Sequence, residues 1–262
     1  MNGDERSAYP NGRSLEGKVA IITGSSRGIG ATTASVFAER GAAVVLAARD
    51  EQALAAIAQE IEAHDGQAIV IPTDVDDPAS VERLVARAID EYGRLDGAVN
   101  NAGGGYPPVP LADLDPTEFD RVLGVNLRGV FLSMKYEIPA MLASGGGAIV
   151  NMSSTVGLRG WKGLGAYVAA KHGVVGLTRS GALDYADRGV RINAIAPGSI
   201  MTERIGALSE EQRRPIAEAN PMHRIGMPEE VAATAAWLCS EDAAFITGTV
   251  IEVDGGQLAR VG

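Results

Sequence analysis

Tyr167 and Lys171 stand four residues apart in Tyr167-Val168-Ala169-Ala170-Lys171, inside a stretch whose periodicity predicts a helix over 166–186. Residues at i and i+4 share one face of a helix. An ammonium beside a phenol favours the phenolate and lowers the tyrosine pKa from its usual ~10, which makes a tyrosine a usable acid/base near neutral pH. By spacing alone, the pair also fits an exposed helical Tyr and Lys with no chemical task. A second candidate is Thr23-Gly24-Ser25-Ser26-Arg27-Gly28-Ile29-Gly30. Glycines in such a turn let the backbone approach a pyrophosphate, whose charge then sits at a helix N-terminus. The spacing is Gly-x3-Gly-x-Gly rather than the G-x-G-x-x-G fingerprint. An ordinary Gly-rich turn is the alternative, and the position after the first strand favours nucleotide binding.

The elements that must position these residues alternate. Short apolar, β-branched runs occur at 19–22, 43–46, 68–71, 97–99, 148–150, 190–192 and 250–253. Amphipathic helical stretches lie between them, at 29–40, 51–63, 78–92, 130–142, 166–186 and 228–238. Strand–helix alternation of this kind predicts right-handed βαβ units and a parallel sheet covered on both faces. Residues 1–14 are polar and aperiodic and are expected as a flexible tail. No linker divides the rest, so 15–262 is expected as one domain. Residues 200–224 break the rhythm and carry their own short helical pattern at 210–219, as an active-site lid would.

In order and spacing, Thr23 to Gly30, Asn100-Asn101-Ala102-Gly103, Asn151-Met152-Ser153-Ser154, Tyr167 to Lys171 and Pro197-Gly198 resemble the classical short-chain dehydrogenases/reductases. The resemblance runs from about Leu15 to Leu258. It implies a single-domain, Rossmann-like, doubly wound α/β fold with a parallel sheet of seven strands and helices on both faces. It also implies hydride transfer between a nicotinamide dinucleotide and a ketone or secondary alcohol. Carried over residue by residue, Tyr167 is the proton donor or acceptor at the substrate oxygen. Lys171 lowers its pKa and holds the nicotinamide ribose, and Ser154 hydrogen-bonds the substrate oxygen. Asn126 matches the proton-relay asparagine, with a helix kink or cap as the lesser alternative. Gly24, Ser26, Arg27, Gly28, Ile29 and Gly30 form the phosphate turn. Asn101, Ala102 and Gly103 line the adenosine side. Asp74 and Val75, read at the end of the third strand, resemble the adenine-contacting pair, and Asp74 is also a possible helix start ahead of Pro78. Pro197, Gly198, Ile200 and Thr202 match the segment that orients the carboxamide.

Cofactor preference is read at the end of the second strand. NAD-preferring Rossmann enzymes place an acid there for the ribose 2′-hydroxyl, and here that position is Ala48, followed by Arg49. NADP-dependent members that this chain resembles grip the 2′-phosphate with a basic residue at that point and another before the second motif glycine. Arg49 and Arg27 fit both, so NADP(H) is expected over NAD(H). The competing reading gives Asp50 to the ribose, but an N-cap is its plainer role.

Composition narrows the remaining possibilities. The chain has 262 residues, 46% hydrophobic and 21% charged, as a soluble globular protein has. With 23 Lys plus Arg against 33 Asp plus Glu, a net charge of −10, it is a poor general partner for nucleic acid. No apolar run is long enough to span a membrane, and no signal-peptide pattern opens the sequence. One cysteine, Cys239, permits no intrachain disulfide and fits a reducing, cytoplasmic compartment; in its apolar helix it reads as a buried small hydrophobe. The histidines, His64, His172 and His223, have no second ligand at metal spacing, so no metal is expected. The resemblance implies a homotetramer. The loops around the expected cleft carry Leu158, Trp161, Leu164, Met201 and Ile205, which suit an apolar substrate body, while Arg159 and Lys162 are cations able to meet an anionic group. The pattern is also similar to 3-oxoacyl carrier-protein reductases. Docking an acidic carrier wants a basic surface, and Ala143-Ser144-Gly145-Gly146-Gly147 offers none, although Arg188 can contribute.

Overall fold

The computed structural model describes residues 14–259. Apart from Ser14, the tail expected over 1–14 lies outside the described residues. Seven parallel strands form one sheet: β1 (Val19–Thr23), β2 (Ala43–Ala48), β3 (Gln67–Pro72), β4 (Gly97–Asn100), β5 (Gly147–Met152), β6 (Val190–Pro197) and β7 (Val250–Val253), in the order β3-β2-β1-β4-β5-β6-β7. Strand order reverses between β1 and β4, and a crevice opens there beyond the carboxyl ends of the strands.

The strands are continuous apolar runs because both faces are buried, and side-chain alternation divides each strand between two cores. Ala20, Ile22, Val44, Leu46, Val99 and Val150 pack on one side against α1 (Gly28–Glu39), α2 (Glu51–Ala63) and α9 (Pro228–Cys239). Val19, Ile21, Val45, Ala98 and Ile149 pack on the other against α3 (Pro78–Tyr92), α5 (Gly129–Ala143) and α6 (Gly165–Tyr185).

The departures from the sequence reading are local. β3 ends at Pro72, so Asp74 is not a strand residue but lies in the turn before α3, and the N-cap of that helix is Asp77, whose carboxylate accepts from Ala79 N–H. Asp50 caps α2, accepting from Ala53 N–H. A further helix, α4 (Pro116–Leu123), precedes a π-turn over Gly124–Arg128 that runs into α5. Within 200–224 there are two short helices, α7 (Glu203–Gly206) and α8 (Glu210–Glu218). None of these helices is long and apolar enough to cross a membrane.

Candidate active site

The β1–α1 turn is built around a missing side chain. Gly24 has φ +67, and a Cβ on Gly30 would lie 2.2 Å from the Gly24 carbonyl oxygen, so any larger residue would push helix and strand apart. Thr23 Oγ1 accepts from Asn101 N–H (3.0 Å) and Ala102 N–H (3.1 Å), and Asn101 Nδ2 donates to the carbonyls of Thr23 (3.0 Å) and Gly24 (3.2 Å). Asn101 therefore braces the glycine turn with its amide, and the cleft wall beside it is left to Ala102 and Gly103. Ser25, not Ser26, closes the turn onto β2: its hydroxyl accepts from Ala47 N–H at 2.9 Å. Ile29 packs into the core, while Arg27, at the N-cap of α1, and Arg49, just past β2, are exposed and, among the described residues, neither pairs with a carboxylate. This close-backbone cradle at the N-terminus of α1, with no acid in the helix's first turn, is suited to a dinucleotide pyrophosphate.

On the far side of the crevice Val75 is buried against α5, with Val81 and Leu132. A Cβ on Gly129 would lie 2.8 Å from it. Pro197 closes β6, Ile200 pairs with Gly226, and Gly198 passes so close to Asp254 that a Cβ would meet its Cα at 2.9 Å. This packing directs Thr202 back across the crevice, its methyl 3.3 Å from where a Cβ on Gly28 would be.

Ser154, Tyr167 and Lys171 converge where β5 ends and α6 begins. Tyr167 shares a side-chain hydrogen bond with Ser154, and the Lys171 ammonium lies 5.5 Å from the Tyr167 ring centroid. Lys171 is buried, donating to the Met152 carbonyl at 2.8 Å. Burial drives its pKa down to about 8. The expected lowering of the Tyr167 pKa is not found. Burial raises it, against smaller downward pulls from the Ser154 hydrogen bond and the Arg204 charge. The reason is physical: the i, i+4 spacing places the ammonium near the ring, while desolvation of the phenolate is the larger effect.

Asn126 sits in the π-turn and bonds to the backbone on both sides of it. Its Nδ2 donates to Val122 O, one turn back, and to Gly104 O, both at 2.9 Å, while its Oδ1 accepts from Gly104 N–H at 3.1 Å. Extra-wide turns of this kind recur at functional sites. A Cβ on Gly103 would lie 2.6 Å from Asn126 Oδ1 and 3.5 Å from Lys171 Nζ, so Asn126 and the lysine border the same small space. Of the expected substrate-side cations, Arg159 stacks over Trp161 at 5.4 Å and Lys162 is exposed. Cys239 is half-buried, and burial pushes its thiol up to about 12.

A family model described as enoyl-(acyl carrier protein) reductase matches residues 24–257. The chain belongs to the short-chain dehydrogenases/reductases. It is 43% identical over 248 residues to a cis-4-hydroxycyclohexanecarboxylate dehydrogenase of Sinomonas cyclohexanicum, covering 95% of this chain and 99% of that protein. It is 42% identical over 249 residues to a cyclohexanol dehydrogenase of Acinetobacter sp. (strain SE19), covering 93% and 96%. The crystal structure of a levodione reductase superposes with a TM-score of 0.89 at 39% identity, covering 94% of this chain and 100% of that one. As a short-chain dehydrogenase/reductase the chain is an oxidoreductase acting on alcohols or ketones with a nicotinamide dinucleotide.

The contacts of three residues of this short-chain dehydrogenase/reductase escaped the sequence reading. Tyr106 is buried in the loop after Gly103, and its hydroxyl accepts from Ala166 N–H at 3.1 Å, tying the start of α6 to that loop. Glu137 is a fully buried carboxyl held by Asn100. Glu203 reaches the glycine turn from α7, accepting from Gly28 N–H at 2.9 Å. An aromatic residue in a Gly/Pro loop was the available signal for Tyr106; the other two contacts depend on how distant elements stack.

Proposed function

We propose that this enzyme interconverts an alicyclic secondary alcohol and its ketone with NADP(H), using Tyr167 as acid/base. The observation that carries the reading is the convergence of Ser154, Tyr167 and Lys171 beside the glycine cradle. The names of two relatives, a cyclohexanol and a hydroxycyclohexanecarboxylate dehydrogenase, support the ring-bearing substrate. Bound in the crevice, a nicotinamide dinucleotide supplies the hydride acceptor or donor. Gly24, Gly28 and Gly30 would hold its phosphates, Ala102 and Gly103 its adenosine side, and Thr202 and Lys171 its nicotinamide half. Ser154 Oγ donates to the substrate oxygen. Tyr167 Oη gives up its proton to that oxygen in reduction and takes it back in oxidation. Lys171 stabilises the phenolate while it exists, and Asn126, fixed by the π-turn, helps return a proton to this group from solvent.

Arg27 and Arg49 support NADP(H), since each guanidinium is free to bind a 2′-phosphate with charge-assisted hydrogen bonds. Discrimination of on the order of 1.5–3 kcal/mol per arginine is expected. Exposed Phe131 on α5, Leu183 on α6 and Phe245 beside the edge strand β7 support self-association; a homotetramer is the expected state, which light scattering checks.

The test is a panel of cyclohexanol, cyclohexanone and a 3-oxoacyl thioester, followed by absorbance of the reduced nicotinamide. Activity confined to the thioester would replace the alicyclic reading with the carrier-protein one. Tyr167→Phe should lower turnover by roughly 10²–10⁴-fold with cofactor affinity retained, and near-normal turnover would remove Tyr167 from its role. Arg49→Ala should shift the ratio of kcat/KM for NADP(H) over NAD(H) toward NAD(H) by at least about tenfold; an unchanged ratio would refute the assignment.

A further inference from the structure

We infer that Glu203 is an internal competitor for the cofactor's pyrophosphate, a residue that sets dinucleotide affinity and ties it to the position of segment 200–224. The inference rests on the reading that the glycine cradle takes a dinucleotide.

The N-terminus of α1 lacks a partner of its own. Arg27 at the N-cap makes no side-chain capping bond, and the first turn carries no acid. The first N–H groups of a helix have no intrahelical acceptor, and together they present about half a positive charge. In this structure an acceptor arrives from 175 residues away: Gly28 N–H donates to Glu203 Oε1 at 2.9 Å. The second oxygen, Oε2, stands 3.3 Å from where a Cβ on Gly28 would be. Glu203 is exposed, and among the described residues no lysine, arginine or histidine pairs with it. Its carboxylate is therefore held by the end of α1.

A pyrophosphate and a carboxylate cannot share that end. Both are drawn to the same set of first-turn N–H groups, and their like charges repel at a separation where screening is weak. Dinucleotide binding must displace Glu203, and the displacement cannot stay local. Glu203 is the first residue of α7, a helix of four residues. Thr202 precedes it, and Arg204, one Nη 3.8 Å from where a Cβ on Gly105 would be, follows it. Releasing Glu203 from Gly28 therefore releases the piece of chain that borders the mouth of the Tyr167 site.

The test measures NADPH and NADH dissociation constants by titration calorimetry on the intact enzyme at low salt, together with tryptic cleavage after Arg204 and Arg213 in the cofactor-free protein. Glu203→Gln and Glu203→Ala should tighten both cofactors about 2–5-fold, with the gain shrinking at high salt. Glu203→Ala without cofactor should be cut faster than wild type. Glu210→Gln, an exposed acid on α8 away from the cradle, should change neither quantity. Unchanged or weaker affinity in both Glu203 variants, an equal gain in Glu210→Gln, or an unchanged cleavage rate would overturn the inference while the dinucleotide reading stands. A wild type that binds neither cofactor would overturn both.

Discussion

Glu137 offers a measurement in which one buried proton controls stability. The side chain is 0% exposed on α5, where Asn100 Nδ2 donates to its Oε2 at 3.0 Å. The same amide donates to Asn151 Oδ1 at 3.0 Å, and Asn151 Nδ2 passes the chain to Thr178 Oγ1 at 3.0 Å. Two acceptors in this network have no donor: Glu137 Oε1 and Asn100 Oδ1. A neutral carboxyl supplies an O–H donor that an ionised one lacks. Burial accordingly raises the Glu137 pKa from 4.5 to about 7, against a smaller lowering by the Asn100 hydrogen bond.

The direction of the pH dependence follows. Below pH ~4.5 the group is protonated in both folded and unfolded chains and adds no pH dependence. As pH rises from there toward 7 the unfolded chain ionises first, so the folded state loses stability at ~1.4 kcal/mol per pH unit, about 3 kcal/mol in all. Above the folded pKa both states are ionised and the loss is complete. Glu137→Gln keeps an acceptor for Asn100 Nδ2 and cannot ionise. Urea midpoints of wild type and Glu137→Gln, taken at one protomer concentration from pH 5 to 8, should therefore diverge in favour of the glutamine variant as pH rises and run parallel above about 7.5. Groups common to both proteins cancel in the difference. A difference that does not change with pH would refute the buried-proton account.

Two further outcomes follow from the residues around α6. Arg204→Ala removes a charge that pulls the Tyr167 pKa down, so the tyrosine's limb of the kcat/KM–pH profile should move to higher pH, with Arg204→Lys restoring it; an unmoved limb would show that the guanidinium does not act on Tyr167. Tyr106→Phe leaves Ala166 N–H without its acceptor and should cost about 1–3 kcal/mol in urea unfolding, a loss that an unchanged midpoint would rule out.

The sheet was legible because each strand is a short β-branched run and each crossover carries helical periodicity, so all seven strands stand where those runs lie. The candidate motifs were legible because each lies near the end of a strand or the start of a helix. What escaped needs distance or solvent to be known. The π-turn at Gly124–Arg128 differs from an α-helix by one hydrogen-bond register, which composition does not encode, although Asp115-Pro116-Thr117-Glu118 was a readable helix start. Glu137 reads as one polar residue in an apolar helix until β4 places Asn100 opposite it.

The direction of the Tyr167 pKa belongs to the same class, and it bears on how the site works. The spacing of Tyr167 and Lys171 specifies a neighbour, but α6 also buries both groups, and burial raises the phenol while bringing the ammonium down to about 8. Each shift disfavours the charged form, so the buried pair resists the separation of charge that acid/base work requires. Beside the part proposed for Lys171, the Ser154 hydroxyl, just past the end of β5, and Arg204, carried on α7, favour the phenolate. One of these is rigid and the other sits beside Glu203, on the piece of chain held against the end of α1. A shift of the tyrosine's pH limb in Arg204→Ala is therefore expected to report on segment 200–224 as well as on the tyrosine itself.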